Sequence, residues 1–242
     1  VAPGQRAPGH SVAVNSSFMI VTTYPVSGQQ DPRKNIPDPW ILFYEKSGAR
    51  LRGQFKLKEC AYIACDSQGT LYLSDSTGFF RVKPNLVEKQ QGQPEVDRMD
   101  LAPIALPEMG KPGNFCFEPG GNLVVIDNGP DQQVKIYSPD FTTLLRTVGV
   151  KGGQGDSLDF KPEAMHNPAA VAVDRQGRIW TTEPGHPRRQ AIWDKEGKLV
   201  KEFVGVTQYG GSHCALHEQD PRVTTAYGML FKVDPDKTHD YT

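Results

Sequence analysis

Three stretches of this chain align on one another without a gap: IACDSQGTLYLSD (63–75), FCFEPGGNLVVID (115–127) and VAVDRQGRIWTTE (171–183). Each alternates apolar and polar residues, turns through an acid and a glycine, and alternates again to an acidic end. That is the pattern of a β-hairpin with one face in a core. Two looser copies stand near the ends, VAVNSSFMIVTTY (12–24) and CALHEQDPRVTTAY (214–227), without the Asp-x-x-Gly turn. The aligned Gly69, Gly121 and Gly177 are 52 and 56 residues apart, near the roughly 40–50-residue period of propeller blades once loop insertions are added.

A second hairpin follows in WILFYEKSGARLRGQF (40–55), QVKIYSPDFTTLLRTVG (133–149) and QAIWDKEGKLVKEFVG (190–205). The repeating unit is therefore a four-stranded antiparallel meander. Such a sheet has two faces to bury, and stacking copies around an axis buries them while leaving only short edges. The expectation is an all-β propeller of about five blades, with six as the other count. It forms one domain over 1–242, on its own or as part of a longer chain. The fourth strand of the second unit is indistinct within 85–106. Expected core residues are Val12, Val14, Ile63, Phe115, Phe117, Val171, Val173, Trp180 and Trp193. Tyr44, Tyr137 and Trp193, each close before a turn, read as blade packing rather than a stacking platform.

Composition agrees. The chain has 24 Gly and 20 Pro in 242 residues, which favours turns over long helices. No apolar run reaches the roughly 18 residues of a membrane helix, so no membrane insertion is expected. With 27 Lys and Arg against 28 Asp and Glu, no overall field draws nucleic acid, and none is expected as a partner. The beginning of the chain lacks the charged and apolar regions of a signal peptide, and the compartment stays open. Cys60, Cys65, Cys116 and Cys214 fit no zinc or haem spacing and read as small buried hydrophobes.

The run HNPAAVAVDRQGRIW, followed by the hairpin WDKEGKLVKEFVG, resembles the NHL repeat of NHL-type β-propellers. The resemblance covers 164–205 well, 111–149 fairly and 60–83 in its first half. It implies the propeller fold and leaves function open, because the family holds interaction platforms as well as enzymes.

With the four strands of each unit lettered A to D in chain order, the B-to-C and D-to-A connections share one face. The long segments 24–39, 88–113, 149–168 and 183–189 all fall there, and long loops on a rigid scaffold are where functional groups are usually placed. Glu183, His186, Arg188 and Arg189 form a candidate anion-binding set, with guanidinium groups suited to a carboxylate or phosphate. Asp75 and Asp127 hold the matching ends of their strands, and Tyr209 in the TQYGG stretch joins the candidate binding residues. His10, His166 and His213 sit at or before innermost strands and are candidate ligands for zinc or another divalent metal. The resemblance offers a parallel in the metal site of an NHL-type lyase. Gluconolactonase-like propellers hold calcium through Glu, Asn and Asp of blade loops, and Asp127-Asn128 is the one match to that set.

No nucleophile elbow, zinc-helix or phosphate-loop motif occurs. The favoured expectation is therefore a noncatalytic binding or scaffolding module without a cofactor. Its long-loop face would hold a protein, peptide or glycan partner, as would a subunit of a larger complex. The alternative is a metal-assisted lyase or hydrolase, using zinc or calcium at the mouth of the central channel.

Overall fold

The structure is a computed structural model that describes residues 9–23, 39–47, 50–90, 93–155, 160–184, 188–205, 214–216, 223–226 and 229–232. Its strands follow the repeat. The first sheet holds β1 (Gly9–Val14), β2 (Phe18–Thr23), β3 (Trp40–Glu45) and β4 (Leu51–Lys56). The second holds β5 (Tyr62–Cys65), β6 (Leu71–Asp75), β7 (Gly78–Gln90) and β8 (Gln93–Ile104). Next come β9 (Pro112–Phe117), β10 (Leu123–Asp127), β11 (Gln133–Tyr137) and β12 (Leu144–Val148), then β13 (Ala170–Val173), β14 (Ile179–Glu183), β15 (Arg188–Trp193) and β16 (Leu199–Gly205). A three-stranded sheet of β17 (Cys214–Leu216), β18 (Val223–Ala226) and β19 (Met229–Lys232) completes the described strands. Each sheet keeps its strands in chain order, the blade meander of an all-β propeller. Among the described residues no helix is long and apolar enough to cross a membrane.

The A-to-B turns explain why the repeat carries an acid and a glycine. Asp174 Oδ1 accepts the N–H groups of Gln176 and Arg178 at 2.9 Å each, while Gly177 turns the chain at φ +77°. Asp66 does the same for Gln68 and Thr70 beside Gly69 at φ +79°. A side-chain acceptor replaces a missing ladder partner, and the left-handed residue closes the turn at little steric cost. The second carboxylate oxygen then reaches the aromatic six residues on, Tyr72 OH at 3.2 Å in one turn and Trp180 Nε1 at 3.0 Å in the other.

The contacts define two compact units, Val1–Val125 with Lys135–Arg146, and Ile126–Val134 with Thr147–Thr242. Within the first, β1 lies beside β5 and β5 beside β9, so the first strand of each sheet faces the next. Ile20, Ile41 and Phe43 pack with Ile63, Leu73 and Val82 in one buried cluster. A second cluster is aromatic: Phe115 meets Phe79 edge-on at 4.9 Å, and Phe79 stacks on Tyr72 at 5.8 Å.

Of the expected core, Ile63, Phe115, Val171 and Trp193 are buried, whereas Phe117, Val173 and Trp180 are half-buried. Val12 and Val14 require a correction: they are 61% and 56% exposed. In β1 the inward positions belong to Ser11 and Ala13, which alternate with Val12 and Val14 along the strand. Ser11 Oγ donates to the Ile63 carbonyl and accepts its N–H, a task that valine could not perform. Of the aromatic column, Tyr137 and Trp193 are fully buried and Tyr44 half-buried. Cys60, Cys65 and Cys116 are half-buried, not fully buried. Burial and the neighbouring Asp66 push the Cys65 thiol up to about 11.

The second sheet departs most from expectation. Nearly half of the anticipated 88–113 loop is the strand β8, which pairs with β7 from Phe79↔Ile104 out to Gln90↔Gln93. Pro94 and Pro103 sit on this outer strand, where a missing N–H costs no ladder bond. The ribbon returns over β4, where a Cβ on Gly53 would lie 2.8 Å from the Val96 carbonyl oxygen and 2.9 Å from its Cβ.

Two outcomes follow. Gly53→Ala should lower unfolding stability by about 1–3 kcal/mol, the usual cost of overpacking, measured by urea denaturation; an unchanged midpoint would refute this contact. Burial alone would raise the Asp174 carboxyl, but hydrogen bonds from Trp180, Arg178 and the turn amides outweigh it and bring the group down to about 2. A depressed folded-state value gives stability that is complete above the unfolded value near ~4. That contribution is lost as pH falls through about 2. The Tm gap between the wild type and Asp174→Asn should therefore hold from neutral pH to about 5 and close towards pH 2; a gap that persists at pH 2 would contradict it.

Candidate functional site

Strand register assembles a charged cluster in the fourth sheet. Glu183, last in β14, is paired with Arg189 of β15, and Glu202 of β16 is paired with Ala191, two residues further along the same face. Arg189 Nη1 is 3.4 Å from Glu183 Oε1, and Nε is 2.9 Å from Glu202 Oε2. The Nε–Oε2 approach is an ion pair whose geometry does not complete a hydrogen bond. Arg189 and Glu183 are only 3% and 4% exposed, so water screens them little.

Arg189 also holds a loop. It donates through Nη1 to the Ala164 carbonyl at 3.1 Å and through Nη2 to the Pro162 carbonyl. Its guanidinium carbon stands 5.5 Å and 5.7 Å from the rings of Phe160 and Trp193. Buried Gln154 reinforces the loop, donating to the Lys161 and Ala164 carbonyls and accepting the Lys161 N–H. Gly153, at φ +60°, passes so close beneath that a Cβ would fall 2.4 Å from the Met165 carbonyl oxygen.

The fixed loop delivers His166 and Asn167. The His166 N–H donates to Glu183 Oε2 at 2.8 Å, and Asn167 Nδ2 is 3.1 Å from His166 Nε2. Asn167 sits at φ +48° with its N–H donated to Gln132 Oε1 at 2.7 Å; Gln132 is itself at φ +51°. Two non-glycine residues in the left-handed region, bonded to each other, are an over-determined arrangement of the kind that clusters at functional sites.

Glu183 Oε1 is buried without a hydrogen-bond donor. Burial raises the Glu183 carboxyl above the ordinary glutamate range; Arg189 and the His166 N–H oppose this, and Glu202 adds to it. Glu202 is raised too, first by burial, then against Arg189 and with Glu163. Glu183 and Arg189 line a cavity of about 560 Å3 together with Thr182, Pro184, Arg188, Gln190, Phe203 and Gly205.

The structure thus unites Glu183, Arg189 and the backbone of His166, with exposed Arg188 at the cavity. Asp75 and Asp127 lie at matching strand ends, where each accepts backbone N–H groups of its own turn, Thr77 at 2.8 Å and Gly129 at 2.7 Å. His186, Tyr209 and His213 lie outside the described residues, as does the His10 side chain. Sequence reasoning missed Glu202, Gln132, Asn167 and Phe203. The signal for Glu202 was its alternation position within the last strand of the repeat.

Among the described residues no group of three or more His, Cys, Asp or Glu could hold a metal ion. Asp127 is spent on its turn and Glu183 on Arg189 and the His166 N–H. The described donors do not fit a metal.

No family model matches this chain, and no curated protein matches it. Solved structures resemble it over most of its length. A gluconolactonase from Xanthomonas campestris is 13% identical over 92% of this chain and 70% of its own, with a TM-score of 0.48. A protein described as a candidate gluconolactonase is 14% identical over 82% and 62%, with a TM-score of 0.49. A Bacteroides caccae protein of unknown function is 10% identical over 90% and 69%, with a TM-score of 0.47. The chain therefore spans 62–70% of the length of these three. The expectation of a noncatalytic scaffold is corrected here: two of these neighbours are named as gluconolactonases, which are hydrolases. The alternative reading fits them better.

Arg189→Met would leave Glu183 and Glu202 without their cation. The expected loss is about 3–5 kcal/mol, as for other buried pairs deprived of one partner, read from chemical denaturation. A loss below about 1 kcal/mol would place this ion pair among the surface kind.

Proposed function

We propose that the protein is a hydrolase of small carboxylic esters, lactones included, built on an NHL-type propeller, with Glu183 as its general base. The observation that supports this reading is a buried carboxylate with raised proton affinity and an Oε1 that accepts no hydrogen bond, in a residue that borders the cavity. An ordinary glutamate is too weak a base to act well near neutrality, and burial corrects that weakness.

In the proposed step the Glu183 carboxylate takes a proton from water as the water oxygen bonds to the ester carbonyl carbon. The tetrahedral intermediate then breaks its bond to the leaving alkoxide, which receives that proton from Glu183. Acid and alcohol are the products, and Glu183 returns to its starting state. Arg189 and the His166 N–H hold the carboxylate in place throughout.

Phenyl acetate and a set of five- and six-membered lactones are suitable first substrates. Glu183→Gln should lower kcat/KM by about 10²-fold or more, the usual contribution of a general base. In the wild type kcat/KM should rise with pH through the raised Glu183 value, because the ionised form is the active one. Absence of turnover, or full activity in Glu183→Gln, would refute the assignment.

A further inference from the structure

We infer that Glu202 is a positioning residue of this site: it draws Arg189 to itself, so that the guanidinium lends Glu183 its charge but leaves Oε1 without a hydrogen bond. That Glu183 is a base is the hydrolase reading, on which this inference rests. The control of Glu183 by Glu202 can be measured without turnover.

Register sets the geometry. Arg189 of β15 has Glu183 opposite it on β14 and the apolar Val204 opposite it on β16, while Glu202 stands two residues along β16 on the same face. The two carboxylates therefore approach one guanidinium from different directions. Nε lies 2.9 Å from Glu202 Oε2, whereas Nη1, which donates to the Ala164 carbonyl, stays 3.4 Å from Glu183 Oε1. Nη2 donates to the Pro162 carbonyl. One cation thus serves two carboxylates, and the loop adds a third acid, Glu163, whose charge acts on Glu202.

The Glu202 side chain is 27% exposed against 4% for Glu183, so it gives up less hydration when it ionises and keeps its hold on Arg189. Burial raises both carboxyls, and the Glu202 charge adds to the rise at Glu183. With Glu202 made neutral, the guanidinium charge falls to Glu183 alone, and the affinity of Glu183 for a proton drops.

The test is a 13C NMR pH titration of protein labelled at the glutamate side-chain carboxyl carbon. Glu183→Gln and Glu202→Asp identify the two signals by their disappearance. In Glu202→Gln the Glu183 midpoint should fall by about one pH unit, the low end of what a nearby charge does. In Glu202→Asp, which keeps the charge, the fall should be less than half as large. Coupling between two sites is reciprocal, so the Glu202 midpoint should fall by a similar amount in Glu183→Gln; that measurement decides the matter should Glu202→Gln fail to fold. A Glu183 midpoint unmoved in Glu202→Gln, an equal fall in Glu202→Asp, or a Glu202 midpoint unmoved in Glu183→Gln would overturn the inference. The rising limb of kcat/KM for phenyl acetate should shift with the Glu183 midpoint between the wild type and Glu202→Gln. If turnover is absent while the midpoints move as expected, the hydrolase reading fails and the coupling of Glu202 to Glu183 stands.

Discussion

The joint between neighbouring sheets is a side-chain hydroxyl bonded to a backbone carbonyl at the entry of the next sheet. Thr22 Oγ1 donates to Ala61 O at 2.7 Å, and Ser74 Oγ to Gly113 O at 2.5 Å. Both hydroxyl-bearing residues are fully buried, and they hold equivalent places in the second strand of their sheets. A buried carbonyl left without a partner costs about 1–3 kcal/mol, so this contact turns a liability of chain entry into a fixed point between two sheets. The aromatic and aliphatic clusters on either side depend on that spacing, because close-packed side chains tolerate little sliding.

The ladder of dependence then runs outward. With the first strands fixed, the Asp-x-x-Gly turns set the register of each hairpin, and register decides which side chains face one another. In the fourth sheet it places Glu183 opposite Arg189 and brings Glu202 to the same face. A shift of one residue would send every member of the cluster to the other face. The placing of Glu202 is thus a consequence of the Asp194–Gly197 turn between β15 and β16 as much as of its own charge.

This also marks what the sequence could reveal. Period-two alternation and the repeated turn made the hairpins visible, since each signal is local. The facing of β1 was not visible, because Ser11 earns its inward place through a bond to Ile63, 52 residues away. Nor was β8 visible, since its prolines and charges read as a loop until β7 supplies a partner. Glu183 and Arg189 were legible as a set by their types and position, but as an exposed loop. Their burial depends on a segment, 160–166, whose carbonyls Arg189 itself satisfies.

Burying one guanidinium between two carboxylates is an expensive way to hold a loop. A well-packed apolar residue in place of such an ion pair is often as stabilising or more so. What an apolar residue cannot do is fix a carboxylate in one orientation while leaving one of its oxygens without a donor. Arg189 meets Glu183 from one side and the His166 N–H meets it from another, while Asn167, anchored on Gln132, sets the path of the backbone that carries that N–H. Each link in that chain is local, directional and buried. Rigid support of a single carboxylate beside a cavity is what pre-organised chemistry needs, and it accounts for charge at a place where packing alone would have served the fold.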